Sequence, residues 1–150
     1  MRRLKTEVAD LPPKTEDAAC RTLLLSPTQV AHYQRLVEGF WRTVDTFSGP
    51  SAGARRNAAV LGQLHKLRLL CADPPSYGIA DPLSLSRQEY SKYSPKMAWL
   101  LSALDRICAL QEKAIIFTEF RDLQRTLQRL VAETCRVRVP IVNGDTSVNP

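Results

Sequence analysis

The stretch EKAIIFTEFRDLQ, Glu112 to Gln124, decides how the chain is read. Lys113 to Phe117 forms a short, continuous, β-branched apolar run, the pattern of a strand covered on both faces. At Thr118-Glu119-Phe120 the run breaks off. Phe120, Leu123, Leu127, Leu130 and Val131 then recur at three and four residues, which predicts a helix. RVRVPIV, Arg136 to Val142, follows with Val137, Val139 and Ile141 alternating, and Pro140 places this second strand near an edge. A further helix over residues 94–111 precedes the series, carried by Met97, Leu100, Leu101, Leu104, Ile107 and Cys108. Helix, strand, helix, strand is the βαβ rhythm of a parallel sheet with a right-handed crossover. The expected fold class is α/β, a helical segment followed by the opening βαβ portion of a parallel sheet.

In open α/β sheets, ligands meet the loops at the carboxyl ends of the strands. Two such loops are expected, TEFRD after the first strand and NGDTS after the second. Asn143-Gly144 suits a tight turn, and Asp145, Thr146 and Ser147 can cap a helix or offer hydroxyls to a phosphate. Read locally, turn and cap duty is the simpler account of each loop.

Working towards the N-terminus, residues 74–93 carry prolines, serines and a glycine without a sustained period and are assigned to a loop joining two units. Before it, Val60, Leu64, Leu67 and Cys71 mark a helix whose Arg55, Arg56, Lys66 and Arg68 face solvent. Another helix, about 27–47, starts at Ser26-Pro27 with Gln29 in the reach-back position of a capping box. Val30, Tyr33, Val37, Phe40, Trp41 and Val44 form its apolar stripe. TEDAACRTLLL approximates a lead-in strand, and residues 1–14, with clustered base and Pro12-Pro13, form a linker.

A chain of 150 residues is long enough to bury a core. Its net charge of +6 favours an anionic partner, although the placement of charge matters more than its sum. Cys20, Cys71, Cys108 and Cys135 lie far apart, without a CxxC pair or a histidine at ligand spacing, and are read as reduced core residues. His32 and His65 fall inside helical patterns and lack a partner, so no metal site is expected. No apolar run is long enough to span a bilayer, and Met1-Arg2-Arg3 leads into no secretory signal. The expected compartment is the cytoplasm.

Six phrases carry a resemblance: RRLKTEVADLPPKTE, LSPTQVAHY, LRLLCADP, SPKMAWLL, EKAIIFTEF and IVNGDTS. In this order and spacing they resemble the Swi/Snf-type DNA-dependent ATPases of helicase superfamily 2, bacterial members in particular, over essentially the whole chain. The resemblance implies a fragment with residues 1–25 as basic linker and lead-in strand and 26–93 as a helical protrusion and loop. Residues 94–150 would then be the N-terminal half of the helicase C-terminal lobe, with an incomplete RecA-like sheet. KAIIFTEFRD would correspond to helicase motif IV and IVNGDTS to the next short motif, both on the DNA-tracking side. Carried over by position, Thr118, Arg121, Gly144, Asp145, Thr146 and Ser147 would touch the DNA backbone. Arg2, Arg3, Lys5, Arg125 and Arg129 would extend a basic track, since Arg121, Arg125 and Arg129 share a helical face. The partners implied are double-stranded DNA and the remainder of the two-lobe ATPase, with no membrane, in a nucleoid-associated bacterial protein.

The chain departs from that family where chemistry is concerned. It has no GxxxxGK[ST] loop and no DExH-like box, and it stops before the family's glycine-rich and arginine motifs. No catalytic residue and no cofactor is expected here, ATP and magnesium belonging to a complete parent, and the chain alone is expected not to hydrolyse ATP. Its abrupt ends suggest an internal piece of a longer enzyme or the remnant of a truncated gene. Two strands make a poor isolated sheet, so self-association is expected. The alternative function is a non-catalytic DNA- or protein-binding module.

Overall fold

Ser26-Pro27 opens the first helix as its sequence predicts. The Ser26 hydroxyl accepts from the Gln29 N–H, and the Gln29 side chain accepts from the Ser26 N–H, a complete capping box. In the computed structural model, which describes residues 22–46 and 52–146, this helix is α1, Pro27–Asp45. It is followed by α2 (Ala52–Ala72), a π-helical turn (Pro75–Ile79), α3 (Arg87–Tyr93), α4 (Pro95–Ala109) and α5 (Arg121–Cys135). The linker at 1–14 and most of the lead-in strand lie outside the described residues; Thr22 to Leu25 are not a strand.

The expected α/β class is overturned. Among the described residues there is no strand and no sheet, and the architecture is helical. Ala114–Phe117 and Val137–Val142 run without helical or sheet bonds and together line one cavity of about 830 Å³. Ile116 and Val139 pack on the core, while Ile115, Phe117 and Val142 are 81%, 90% and 80% exposed. The alternation typical of strands is thus present in side-chain burial but absent from backbone pairing. A helix satisfies its own N–H and C=O groups, whereas a strand needs a neighbour at each edge. Here α4 and α5 take the apolar surface, and the two short runs exchange no backbone bonds.

The core lies where α4 and α5 meet. Met97, Leu101 and Leu104 from α4 face Leu123, Leu127, Leu130 and Val131 from α5, with Phe120 and Tyr90 completing the cluster. Each such side chain contributes about 1.5–3 kcal/mol on full burial. Ser94 and Pro95 start α4 as expected, the Ser94 hydroxyl accepting from the Met97 N–H at 3.2 Å.

The stretch 74–93 is not one loop. Ser86 and Glu89 form a second capping box and launch α3, which places Tyr90 in the core. The Ser86 hydroxyl and N–H hold the Glu89 carboxyl below its usual range. Gly78, at φ +107°, supplies the left-handed backbone that closes the π-helical turn. Tyr90 is fully buried, and its hydroxyl donates to Asp73 Oδ1 at the end of α2, while Asp73 Oδ2 has no partner among the described residues. Burial, then this contact with Asp73, pushes the Tyr90 phenol well above its ordinary value.

Two cysteines depart from the reduced state expected of them. Cys108 near the end of α4 and Cys135 at the end of α5 form a disulfide, 27 residues apart in sequence with Cα atoms 5.9 Å apart. Cys71 is free and half-buried, and burial raises its thiol pKa, with Lys96 pulling the other way. Cys20 lies outside the described residues.

The stripe on α1 is only partly covered by α2. Val44 is buried, but Trp41 is 59% exposed, and Leu61 and Leu64 on α2 are exposed as well. Gln29, itself buried, ties the pair together by donating to the Leu70 carbonyl at 3.0 Å.

Candidate nucleic-acid interface

The site is built around the start of α5. Phe120 occupies the N-cap position without a side-chain cap bond, because a phenyl ring offers no acceptor, and its ring is buried in the core instead. Two residues earlier the Thr118 hydroxyl accepts from the Phe120 N–H at 3.2 Å, which fixes the chain as it enters the helix. Asp122 in the first turn complements the positive end of the helix dipole. These constraints leave Arg121 pointing outward, with 61% of its side chain exposed.

The second predicted loop folds onto the same surface. The Thr146 N–H donates to the Asn143 carbonyl at 3.0 Å, and the Asn143 N–H donates to the Thr146 hydroxyl at 2.9 Å. The Asp145 N–H donates to Asn143 Oδ1 at 3.0 Å, which completes a tight polar turn. Asn143 Nδ2 also donates to Gln124 Oε1 at 3.0 Å, anchoring the turn to α5. Arg121 forms an ion pair with Asp145. Gly144 does not use the left-handed backbone that an Asn-Gly turn often needs, and no atom lies within 4 Å of where its Cβ would stand. What it leaves is open surface beside Asp145.

Of the residues assigned to backbone contact, Thr118, Arg121, Gly144, Asp145 and Thr146 therefore come together, although 22 residues or more separate the two groups in sequence. Ser147, Arg2, Arg3 and Lys5 lie outside the described residues. Arg125 is exposed and makes no ion pair among the described residues. Arg129 is otherwise engaged: its Nη2 donates to the carbonyls of Pro82 at 3.1 Å and Leu85 at 2.9 Å, and Nη1 pairs with Glu133 at 2.8 Å. It clamps the segment before α3 and does not continue a track from Arg121 and Arg125.

Sequence reasoning left two contributions unseen. Arg68 of α2 reaches across to pair with Glu119, and His65 sets its ring edge-on to Phe120 at 5.5 Å. Both ally the C-terminal half of α2 with the junction. Their separation of about fifty residues leaves no local pattern to read. Beside the junction is an open cavity of about 570 Å³, lined by Arg68, Lys96, Trp99, Phe117 and Thr118 among others.

Among the described residues, no three histidine, cysteine, aspartate or glutamate side chains converge as a metal site. No described helix is long and apolar enough to cross a membrane.

No protein-family model matches the chain. No solved structure matches it. Over 149 residues it is 39% identical to the Zorya protein ZorD of Escherichia coli O139:H28 (strain E24377A / ETEC), covering 98% of this chain and 13% of ZorD. Over 152 residues it is 30% identical to YwqA of Bacillus subtilis (strain 168), by its name a proposed ATP-dependent helicase/translocase, covering 98% of this chain and 15% of YwqA. The chain thus spans less than a sixth of the length of either relative. One of these two relatives is named as a helicase/translocase and the other as a Zorya protein.

Proposed function

We propose that this chain is part of an ATP-driven translocase on double-stranded DNA, of the Swi/Snf type. In this reading it supplies DNA-tracking surface to the second motor lobe, while nucleotide chemistry is assigned to the remainder of a longer protein. The observation that carries the proposal is the convergence of Arg121 and the Asn143–Thr146 turn on one exposed face. A guanidinium, two hydroxyls and an open glycine suit phosphate contact, which fixes position without reading sequence, as a moving motor requires. Relation to a protein named as a helicase/translocase supports the same reading.

The test is fluorescence anisotropy of the chain with a 30-base-pair duplex of arbitrary sequence, titrated across a salt series. Affinity should fall log-linearly with salt, by a slope of about 0.9 per phosphate neutralised, and be indifferent to duplex sequence. Arg121→Gln should weaken binding. Gly144→Ala should leave the fold intact, since its Cβ meets nothing, yet weaken binding if backbone and phosphate approach closely. Absent or salt-indifferent binding refutes the proposal.

A protein-binding module is the second reading, favoured by one observation. Trp41, Leu61 and Leu64 remain exposed on the α1–α2 pair at 59%, 67% and 50%. Salt-insensitive binding abolished by Trp41→Ala would support it.

A further inference from the structure

We infer that Asp145 is a built-in competitor for the anion that Arg121 would bind, so that the junction is held closed until a ligand of high charge density displaces the carboxylate. The inference rests on the reading of this face as a phosphate-contacting surface. The Asp145 carboxylate is paired with Arg121, and 75% of its side chain is exposed. Nothing in the turn depends on that carboxylate. The turn is held by Asn143 and Thr146 and by the bond from Asn143 to Gln124, and Asp145 contributes only its backbone N–H. The pair can therefore open while the turn stays folded.

An ion pair this exposed shifts an equilibrium by only about two- to five-fold, because water and salt screen both charges. That is small enough for a row of duplex phosphates to overcome. It also sets a threshold, since every ligand must first release Arg121 and leave Asp145 to recruit a cation. The recruited cation offsets one of those released from DNA, which flattens the salt dependence. Glu119 stands in the same relation to Arg68, which lines one cavity with Thr118, so Arg68 and Arg121 are both occupied by the chain's own carboxylates.

The experiment compares the unmodified chain with Asp145→Asn, Arg121→Gln, the double variant and Asp122→Asn on the same 30-base-pair duplex. Asp145→Asn keeps the backbone N–H and should tighten binding about three-fold, the release of an exposed pair. Its log–log salt slope should steepen by up to about 0.9, one additional phosphate neutralised without compensation. The gain should vanish when Arg121 is already Gln. Asp122→Asn, which removes a neighbouring charge that makes no ion pair among the described residues, should give a clearly smaller gain. Unchanged or weaker binding by Asp145→Asn overturns the inference while leaving the duplex reading standing. An equal gain from Asp122→Asn, or one that survives in the double variant, does the same by reducing the effect to net charge. If no variant binds duplex, the reading of the surface falls, and this inference with it.

Discussion

Replacing Tyr90 by Phe keeps a ring in a fully buried place and deletes one hydroxyl. That hydroxyl is the hydrogen-bond donor to Asp73 Oδ1, and Asp73 Oδ2 has no partner among the described residues. The variant strands a completely buried carboxyl. Leaving one buried polar group unsatisfied costs about 1–3 kcal/mol, and both carboxyl oxygens of Asp73 would then lack a partner among the described residues, so the expected loss at pH 7 is about 3 kcal/mol. In urea unfolding followed by circular dichroism, with an m-value of about 2 kcal/mol/M, the midpoint should fall by about 1.5 M. Alkaline pH supplies a second signature. Folding raises the phenol above its usual value near 10, so its contribution is complete below pH 10 and drains away as pH rises beyond it. At pH 11 the unmodified chain should have lost about 1.4 kcal/mol that the Phe variant never had, and the gap between them should narrow accordingly. A loss below about 1 kcal/mol at pH 7, or a gap constant from pH 9 to 11, would refute the account of this contact.

Reduction of the Cys108–Cys135 bond, or Cys108→Ser with Cys135→Ser, should cost about 3–4 kcal/mol by freeing a loop of 27 residues in the unfolded chain. Parallel melts with and without reductant check it, with Cys71→Ser expected to leave the difference intact. Arg129→Ala should loosen the segment before α3 by removing the donor to Pro82 and Leu85. Faster amide exchange and proteolysis around residues 80–86, with α4 and α5 still protected, would show it.

What the sequence made legible were features whose causes are local. Ser26, Gln29 and Ser94 announce two helix starts, and the spacing of Met97, Leu101 and Leu104 against Leu123, Leu127 and Leu130 identifies the buried faces of α4 and α5. The start of α3 was equally local, since Ser86 and Glu89 stand in capping-box register, but the prolines and serines around them outweighed it. Strand prediction failed because alternation reports which side chains are covered and says nothing about whether a backbone partner exists. Ile116 and Val139 are covered, and neither pairs. The candidate site was half legible. Thr118, Arg121 and the Asn143–Thr146 turn could be named, yet their mutual contact, the reach of Arg68 and the diversion of Arg129 depend on tertiary placement.

The disulfide has a mechanical consequence. Cys108 and Cys135 turn residues 108–135 into a covalent ring, and Arg121 sits near its middle, thirteen residues from one sulfur-bearing residue and fourteen from the other. A load applied at Arg121 divides between two arms of the ring and arrives at the ends of α4 and α5 together. Those helices cannot be drawn apart at that end without breaking a covalent bond, so tension at the junction is carried into the α4–α5 pair as one body and not spent in sliding one helix past the other.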